Sequence, residues 1–454
     1  MFFPSHRSAA PLAPVLPSSH PLGHLQRMRD DPLGLFMDAR ALGEEVVRFR
    51  FGTFYVYALL GRTAVRHALV DHPDRFIKGT RGQRLMRGIL GNSILTTDGP
   101  EWRWRRRLAQ PAFKRPNLVG FAAAMQKEAD ALVDSWTEAV DQPVAVDKAM
   151  MAVTLRIATA TLFGADLGEA REAVVHTALG DVLSTFLGLV TAPWPWPDKV
   201  PTPSARRHQA AVRAMEEVVD GLIAERRAAG GGGDDLLGML MSATGEDGEA
   251  LTDEQLRAET ITMLLAGHET TANALTWTFS LLGRHPSVSR RLHAEVTEVL
   301  GDRAPCVADL RRLPLTDAVL REAMRLYPPA WVVSRATVQD ETIAGAHVPA
   351  GSYVFSCVYA LHRDPEVFSD PEGFDPDRWL DGRTQGNPRL SWMPFGAGQH
   401  KCIGEHFAMM EAVILLATVT RSLHLELVPG QALEMDPSIT LRPAQTIRMV
   451  PRRR

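Results

Sequence analysis

Cysteine is scarce in this chain. There are three in 454 residues, Cys306, Cys357 and Cys402, too few and too scattered for a disulfide framework, and the expected compartment is a reducing cytoplasm. No two are spaced closely enough for a zinc-type pair. An excess of one charge is also missing. Lys and Arg number 50 against 53 Asp and Glu, a formal net charge of −3, which argues against a chain built to coat nucleic acid. No run of about 18 apolar residues occurs, so no membrane span is expected. The first 25 residues carry repeated prolines, not a positive segment followed by an unbroken apolar one, and do not read as a signal peptide. No internal repeat is evident. What remains is ordinary globular composition, 45% hydrophobic and 23% charged, enough for a large core.

One stretch organises the rest: Phe395-Gly396-Ala397-Gly398-Gln399-His400-Lys401-Cys402-Ile403-Gly404. After Cys402 the apolar residues Ile403, Phe407, Met410, Ile414 and Ala417 recur at steps of four and three, one face of a helix. The thiol therefore sits near a helix N-terminus, where free N–H groups and the helix dipole favour negative charge. Gly396, Gly398 and Gly404 permit backbone shapes and close approaches that a side chain would block. Taken alone, such a cysteine reads as a soft-metal ligand, a nucleophile, a redox thiol or an inert buried residue.

Other signals follow in chain order. Residues 46–60 read as a strand pair and 62–71 as a short helix. Trp102-x-x-x-Arg106 places an indole and a guanidinium on one helix face, within a basic run that also reads as a solvated surface. Residues 121–240 are mostly helical in pattern, broken by Pro193, Trp194, Pro195, Trp196 and Pro197. Gly230 to Gly233 read as a linker. Thr252-x-x-Gln255 has capping-box spacing and opens a helix of roughly 32 residues, about 48 Å long. Near its middle stand Ala266, Gly267, His268, Glu269, Thr270 and Thr271, with a glycine that costs about 1 kcal/mol in a helix. Glu322-x-x-Arg325 precedes a Pro-Pro stop, residues 331–335 read as a strand, and Arg378 follows in Phe374-Asp375-Pro376-Asp377-Arg378-Trp379.

In this order, these stretches resemble the cytochrome P450 family, the haem-thiolate monooxygenases, from about residue 46 to about residue 423. The resemblance implies a proline-rich lead-in over residues 1–25. A single mostly α-helical domain with small β-sheets would follow over 26–454, with sheets near the N-terminal third and before Cys402. Haem b would lie between the long central helix and the Cys402 loop, with Cys402 as its thiolate ligand. Trp102, Arg106, Arg335 and His400 would hold the propionates, and Phe395, Gly398 and Gly404 would shape the loop. Ala266 and Gly267 would leave room for dioxygen, Glu269 and Thr270 would supply protons, and Glu322, Arg325 and Arg378 would hold the proximal side together. Thr262, Ala266, Trp331, Val332 and Val333 would line a pocket for a hydrophobic small molecule: a terpenoid or other secondary metabolite, a fatty acid or a steroid.

No flavin or ferredoxin segment is fused to the chain, so NAD(P)H electrons would arrive through a separate ferredoxin or flavodoxin and its reductase, docking near Arg103 and Arg107. The expected protein is a soluble bacterial type, a cytoplasmic monomer with no membrane anchor and no nucleic-acid partner. The alternatives are a peroxide-driven relative, an O2-independent isomerase or dehydratase, a non-enzymatic haem sensor or electron carrier, and a haem-free cysteine hydrolase. The acid–alcohol pair, which the first two tend to lose and a sensor does not need, argues against the first three. The hydrolase would need a His–Cys dyad.

Overall fold

The capping signal at Thr252 starts the longest helix. In a computed structural model, which describes residues 10–192, 200–244 and 250–454, that helix runs Asp253–Arg284. Thr252 Oγ1 accepts the Gln255 N–H at 3.2 Å and Gln255 Oε1 accepts the Thr252 N–H at 2.9 Å, satisfying two otherwise orphaned donors. The helices that frame the site are numbered in chain order: α1 (Arg81–Leu90), α2 (Gly99–Ala109), α3 (Val146–Leu162), α4 (Gly168–Val190), α5 (Pro203–Ala228), α6 (Asp253–Arg284), α7 (Pro314–Leu326) and α8 (Glu405–Ser422). Helix α6 is buried almost all round and packs on α3, α5, α7 and α8, the position expected of a helix without a solvent face.

Residues 46–60 form the expected hairpin, β1 (Val46–Phe51) and β2 (Phe54–Leu59), in register from Val46↔Leu59 to Phe51↔Phe54. Further strands include β3 (Phe76–Ile77), β4 (Val144–Ala145), β5 (Val332–Thr337), β6 (Tyr353–Cys357), β7 (Leu423–Leu427), β8 (Met435–Pro437), β9 (Leu441–Pro443) and β10 (Arg448–Arg453). The first sheet has the order β1-β2-β6-β5-β3, with β2 and β6 parallel. A second sheet, β4-β10-β7, and the hairpin β8-β9 lie at the C-terminal end. The sequence reading placed no strands there. They are short, and their partners are remote in the chain, Met449 pairing with Val144, so no local alternation announces them.

Two further readings are refined. The segment 62–71 is not one helix: Arg62–Arg66 is α-helical and His67–Asp71 is a π-turn. From residue 10 the proline-rich lead-in packs on the first sheet, with Arg48 N–H donating to Pro14 O at 2.7 Å and Leu16 N–H to Arg48 O at 3.0 Å, which buries Ala13 and Leu16. Helix α4, with a mean hydropathy of 1.6, is long and apolar enough to cross a membrane by length and composition. Its Val175, Leu179, Val182 and Leu183 are instead buried, and it packs against α5. The Pro193 to Pro197 run lies outside the described residues.

Candidate active site

The Cys402 loop is tied at several points. Gly396 N–H donates to Met393 O at 3.0 Å, Lys401 N–H to Gly398 O at 3.1 Å and Cys402 N–H to Phe395 O at 2.9 Å. Gly398 is obligatory by two measures. Its φ is +68°, and an added Cβ would stand 1.9 Å from Leu69 O in the π-turn, so the loop backbone rests directly on that turn. Gly404 is less constrained, since a Cβ there would meet Phe113 at 3.7 Å and the Cys402 sulfur at 4.0 Å.

Cys402 is accessible, yet burial pushes its thiol above the ordinary thiol range, opposed by the Gly404 amide. The expectation that a helix N-terminus lowers this thiol is therefore corrected: desolvation outweighs the amide. A free nucleophilic thiolate is disfavoured here, whereas a bound metal ion would deprotonate the sulfur outright.

Beside the loop lies a cluster of cations with too few anions. Arg335 is 7% exposed, its side chain makes one hydrogen bond among the described residues, to its neighbour Ser334 O at 2.8 Å, and burial pulls it down to about 10. Lys78 is 4% exposed, and burial with the Arg335 charge pulls it down to about 7. His400 is pulled down to about 3 by burial and by Lys78, Arg335 and Arg106. Its Nδ1 is buried without a partner among the described residues, and its ring lies 4.2 Å from that of Trp102. Arg106 donates to Lys401 O at 2.8 Å. Asp98 and Glu259 are the acids whose fields reach Lys78. Such a cluster calls for added negative charge, and two carboxylates of a haem fit it. Lys78 was not foreseen, because a lone lysine after a two-residue strand carries no spacing signal.

Across the cleft, α6 presents a stripe. Ala266 is exposed and Thr270 half-buried, although Met263, Leu264, His268 and Glu269 around them are buried. Thr270 Oγ1 donates to Ala266 O at 2.8 Å. Exposure in the middle of a buried helix means an internal opening. Helix α8, which the Cys402 loop leads into, packs on α6.

Gly267 does not join this stripe. A Cβ there would meet Leu162 and Ala158 of α3 at 3.5 and 3.8 Å, ordinary contact distances, so this position faces α3. Glu269, about 100° round the helix from Thr270, accepts a hydrogen bond from Thr440 Oγ1. Burial holds its pKa up at about 7. His268 is buried, with Nδ1 against Leu264 O at 3.1 Å. Thr262 is 2% exposed and its hydroxyl has no hydrogen-bond partner among the described residues. Trp331 faces away from the cleft. Its Nε1–H donates to Ser438 O at 3.1 Å and its ring packs edge-on against Phe36, while Val332 and Val333 are half-buried.

Glu322, Arg325 and Arg378 meet as expected. Glu322 accepts from Arg325 Nε and Nη2, Arg378 Nε and Trp379 Nε1, each at 2.9 Å, and from Asp375 N–H at 3.0 Å. Arg325 Nη1 also donates to His362 O at 3.1 Å. Burial and Arg325 pull His362 down to about 3, so it is neutral, and its Nε2 accepts the Met393 N–H at 2.8 Å. His362 thus links the buried acid to the start of the Cys402 loop. No sequence signal marked it. A surface groove of about 500 Å³ at Trp379 and Trp392 includes no residue of α6 or of the Phe395–Gly404 loop.

Glu411, on α8, is fully buried, and neither carboxyl oxygen has a hydrogen-bond partner among the described residues. Burial pushes it well above the ordinary carboxyl range, with the Thr271 hydroxyl acting against. A carboxyl whose folded value is raised contributes fully below its unfolded value, and stability is lost as pH rises through the folded one. Glu411→Gln is therefore expected to raise the thermal midpoint by about 1–3 °C near pH 8.5 and to change it little near pH 5. A pH series of melting curves for both proteins checks this, and equal shifts at the two pH values would contradict a titrating Glu411.

Comparison with known proteins agrees with this geometry. A family model for cytochrome P450 matches residues 14–449. The chain is 37% identical over 436 residues to a cyclooctat-9-en-7-ol 5-monooxygenase of Streptomyces melanosporofaciens, covering 95% of this chain and 94% of that one. It is 34% identical over 410 residues to a pentalenene oxygenase of Streptomyces avermitilis, covering 90% of each. The solved structure of a cytochrome P450DA heme domain superposes with a TM-score of 0.88 at 29% identity, over 98% of both chains. An internal thiol, a clustered set of buried cations and an opened central helix, in a chain matched from end to end, make this protein a member of the cytochrome P450 family of haem-iron oxygenating oxidoreductases.

Proposed function

We propose that this P450 inserts one oxygen atom of O2 into a terpenoid-like, apolar small molecule, by hydroxylation or epoxidation. Electrons would come from NAD(P)H through a separate ferredoxin or flavodoxin and its reductase. The observation that carries the reading is the α6 stripe, Ala266 exposed and Thr270 half-buried in an otherwise buried helix on which α8, the helix after Cys402, packs. Two relatives, named for a cyclooctatenol and for pentalenene, support a cyclic terpenoid over a fatty acid or steroid. Three free cysteines suit the cytoplasm.

When bound, a thiolate-ligated haem supplies the oxygen-activating chemistry. The chain supplies the rest. Cys402 would hold the iron through its sulfur. Arg106, Arg335, His400, Trp102 and Lys78 would hold the carboxylates of the haem. Ala266 leaves space above the cleft, and apolar walls exclude water. The Thr270 hydroxyl holds a proton donor at Oγ1. Glu269, with a pKa of about 7, is poised to take or give a proton at its carboxyl near neutral pH, once it leaves Thr440.

Thr270→Ala is expected to keep full haem content and to divert most consumed NAD(P)H into hydrogen peroxide, lowering the product formed per electron pair by about tenfold. Coupling equal to wild type would remove Thr270 from the proton path. The reaction itself is tested by turnover of a cyclic terpene under ¹⁸O2 with surrogate ferredoxin and reductase. Label in the product supports the proposal. Unlabelled product, or full turnover on peroxide without donors, overturns it.

A further inference from the structure

The turn beneath the Cys402 loop departs from α-helical winding, and its shape has identifiable supports. Its defining bond runs from the His72 N–H to His67 O at 3.1 Å. In an α-helix, residues five apart point about 140° from one another. The wider π-turn brings them closer round the axis, and the His67 and His72 rings meet at 4.6 Å. The His67 ring also stands edge-on to the buried Phe76, 5.8 Å between centroids. Pro73, four residues after Leu69, has no N–H to give to Leu69 O. That carbonyl instead faces Gly398, where a Cβ would stand 1.9 Å away. The hydrogen that occupies this place points at the oxygen, a weak Cα–H···O contact.

A remote acid ties the turn down. Glu341 opens a short strand, Glu341–Ile343, that pairs with Ala346–Val348. Its side chain is 3% exposed. A carboxylate can only accept, so His67 Nε2 carries the hydrogen and donates it to Glu341 Oε2 at 3.0 Å. Arg75 Nη1 lies 3.6 Å from the other oxygen. A buried carboxylate is unfavourable unless it is paired, and His67 is its nearest partner. The same three segments share one apolar core. Leu69 of the turn, Ile343 of the strand and Met393 before the loop are buried in it, with Ala397 packed against them. The path from Glu341 to the loop is therefore short: acid, His67 ring, π-turn, Leu69 carbonyl, Gly398.

We propose that His67 and Glu341 are positioning residues for the Cys402 sulfur, because their pairing holds the π-turn on which the loop is seated. The assignment rests on the reading of Cys402 as the haem ligand. Neither residue touches haem or substrate. They act through the Leu69 carbonyl, as partners behind a metal ligand commonly fix its orientation.

The test compares wild type, His67→Leu and Glu341→Gln as haem-loaded proteins. Hydrogen exchange is read in the π-turn, where the His72 amide is bonded, and in the loop, where the Gly396, Lys401 and Cys402 amides are bonded. Exchange in both segments is expected to be about tenfold faster in His67→Leu. In Glu341→Gln, which keeps an acceptor for His67, it should be only a few-fold faster, with α5 unchanged in both. The second reading is spectroscopic. On mild heating, the half-life of the thiolate-type carbon monoxide band is expected to be about fivefold shorter in His67→Leu and to return toward wild type in Glu341→Gln. A turn that loosens while the loop exchanges as in wild type would overturn the proposal, and so would an unchanged half-life. If His67→Leu does not retain haem, Glu341→Gln decides: faster exchange in both segments supports the proposal, and equal exchange overturns it. Wild-type protein without a thiolate-type band would overturn the reading of Cys402 and this proposal with it, whereas a normal band with unchanged exchange in the variants overturns the proposal alone.

Discussion

Cys402→Ala is expected to abolish the strongly red-shifted Soret band that a thiolate-ligated haem shows when reduced under carbon monoxide. Oxygenase activity should fall by about three orders of magnitude or more. The reason is positional. Of the three cysteines, Cys306 caps a short helical turn and donates to Asp309 at 3.1 Å. Cys357 ends β6, fully buried, with its thiol pushed up to about 12. Neither belongs to the cleft, so no other sulfur can take over. Cys402→His should move the band to the position typical of histidine ligation, with haem retained on the cations. Absorption spectra of the three proteins decide the matter. An intact thiolate band in the alanine variant would refute the ligand assignment.

Glu322→Ala is expected to give little or no soluble, haem-loaded protein. The carboxylate is fully buried and joins Arg325, Arg378, Trp379 and the Asp375 amide. Removing it leaves two guanidiniums buried without their counter-charge. Breaking a buried pair in this way costs about 3–5 kcal/mol, a large part of the roughly 5–15 kcal/mol that holds a domain folded. The damage also has a route to the site, through Arg325 to His362 and from His362 to the Met393 amide. Glu322→Gln keeps the acceptors and loses the charge, so it should fall between. Thermal melts and haem-to-protein ratios measure both effects. A Glu322→Ala protein that melts within a degree or two of wild type and binds haem fully would show that the network is dispensable.

Much of this was legible because the motifs combine local rules with rare residues. The capping pair at Thr252 and Gln255 marked the start of α6 at the right residue, since a cap is a matter of three neighbouring positions. The hairpin at 46–60 followed from strand-forming residues around Gly52. The Glu322–Arg325 pair was visible at its spacing, and Arg378 by its place in order. Other features escaped for the opposite reason. Lys78 and His362 are single polar residues in unremarkable surroundings, and their weight comes from partners tens of residues away, while that of Glu411 comes from the packing that buries it. Gly267 and Trp331 carried the right identity, but their directions are set by α3 and by the sheet-side core, which no local pattern reveals.

By itself, the sequence determined that one thiol in a glycine loop leads into a helix, that a long helix with an Ala-Gly interruption crosses the chain, and that acid and alcohol stand together on it. Those are consequences of residue type and spacing. Only the tertiary structure decided which charges are buried, which face of α6 opens and which way Glu269 turns. Desolvation and packing depend on everything that surrounds a side chain, and what surrounds these side chains is assembled from across the whole chain.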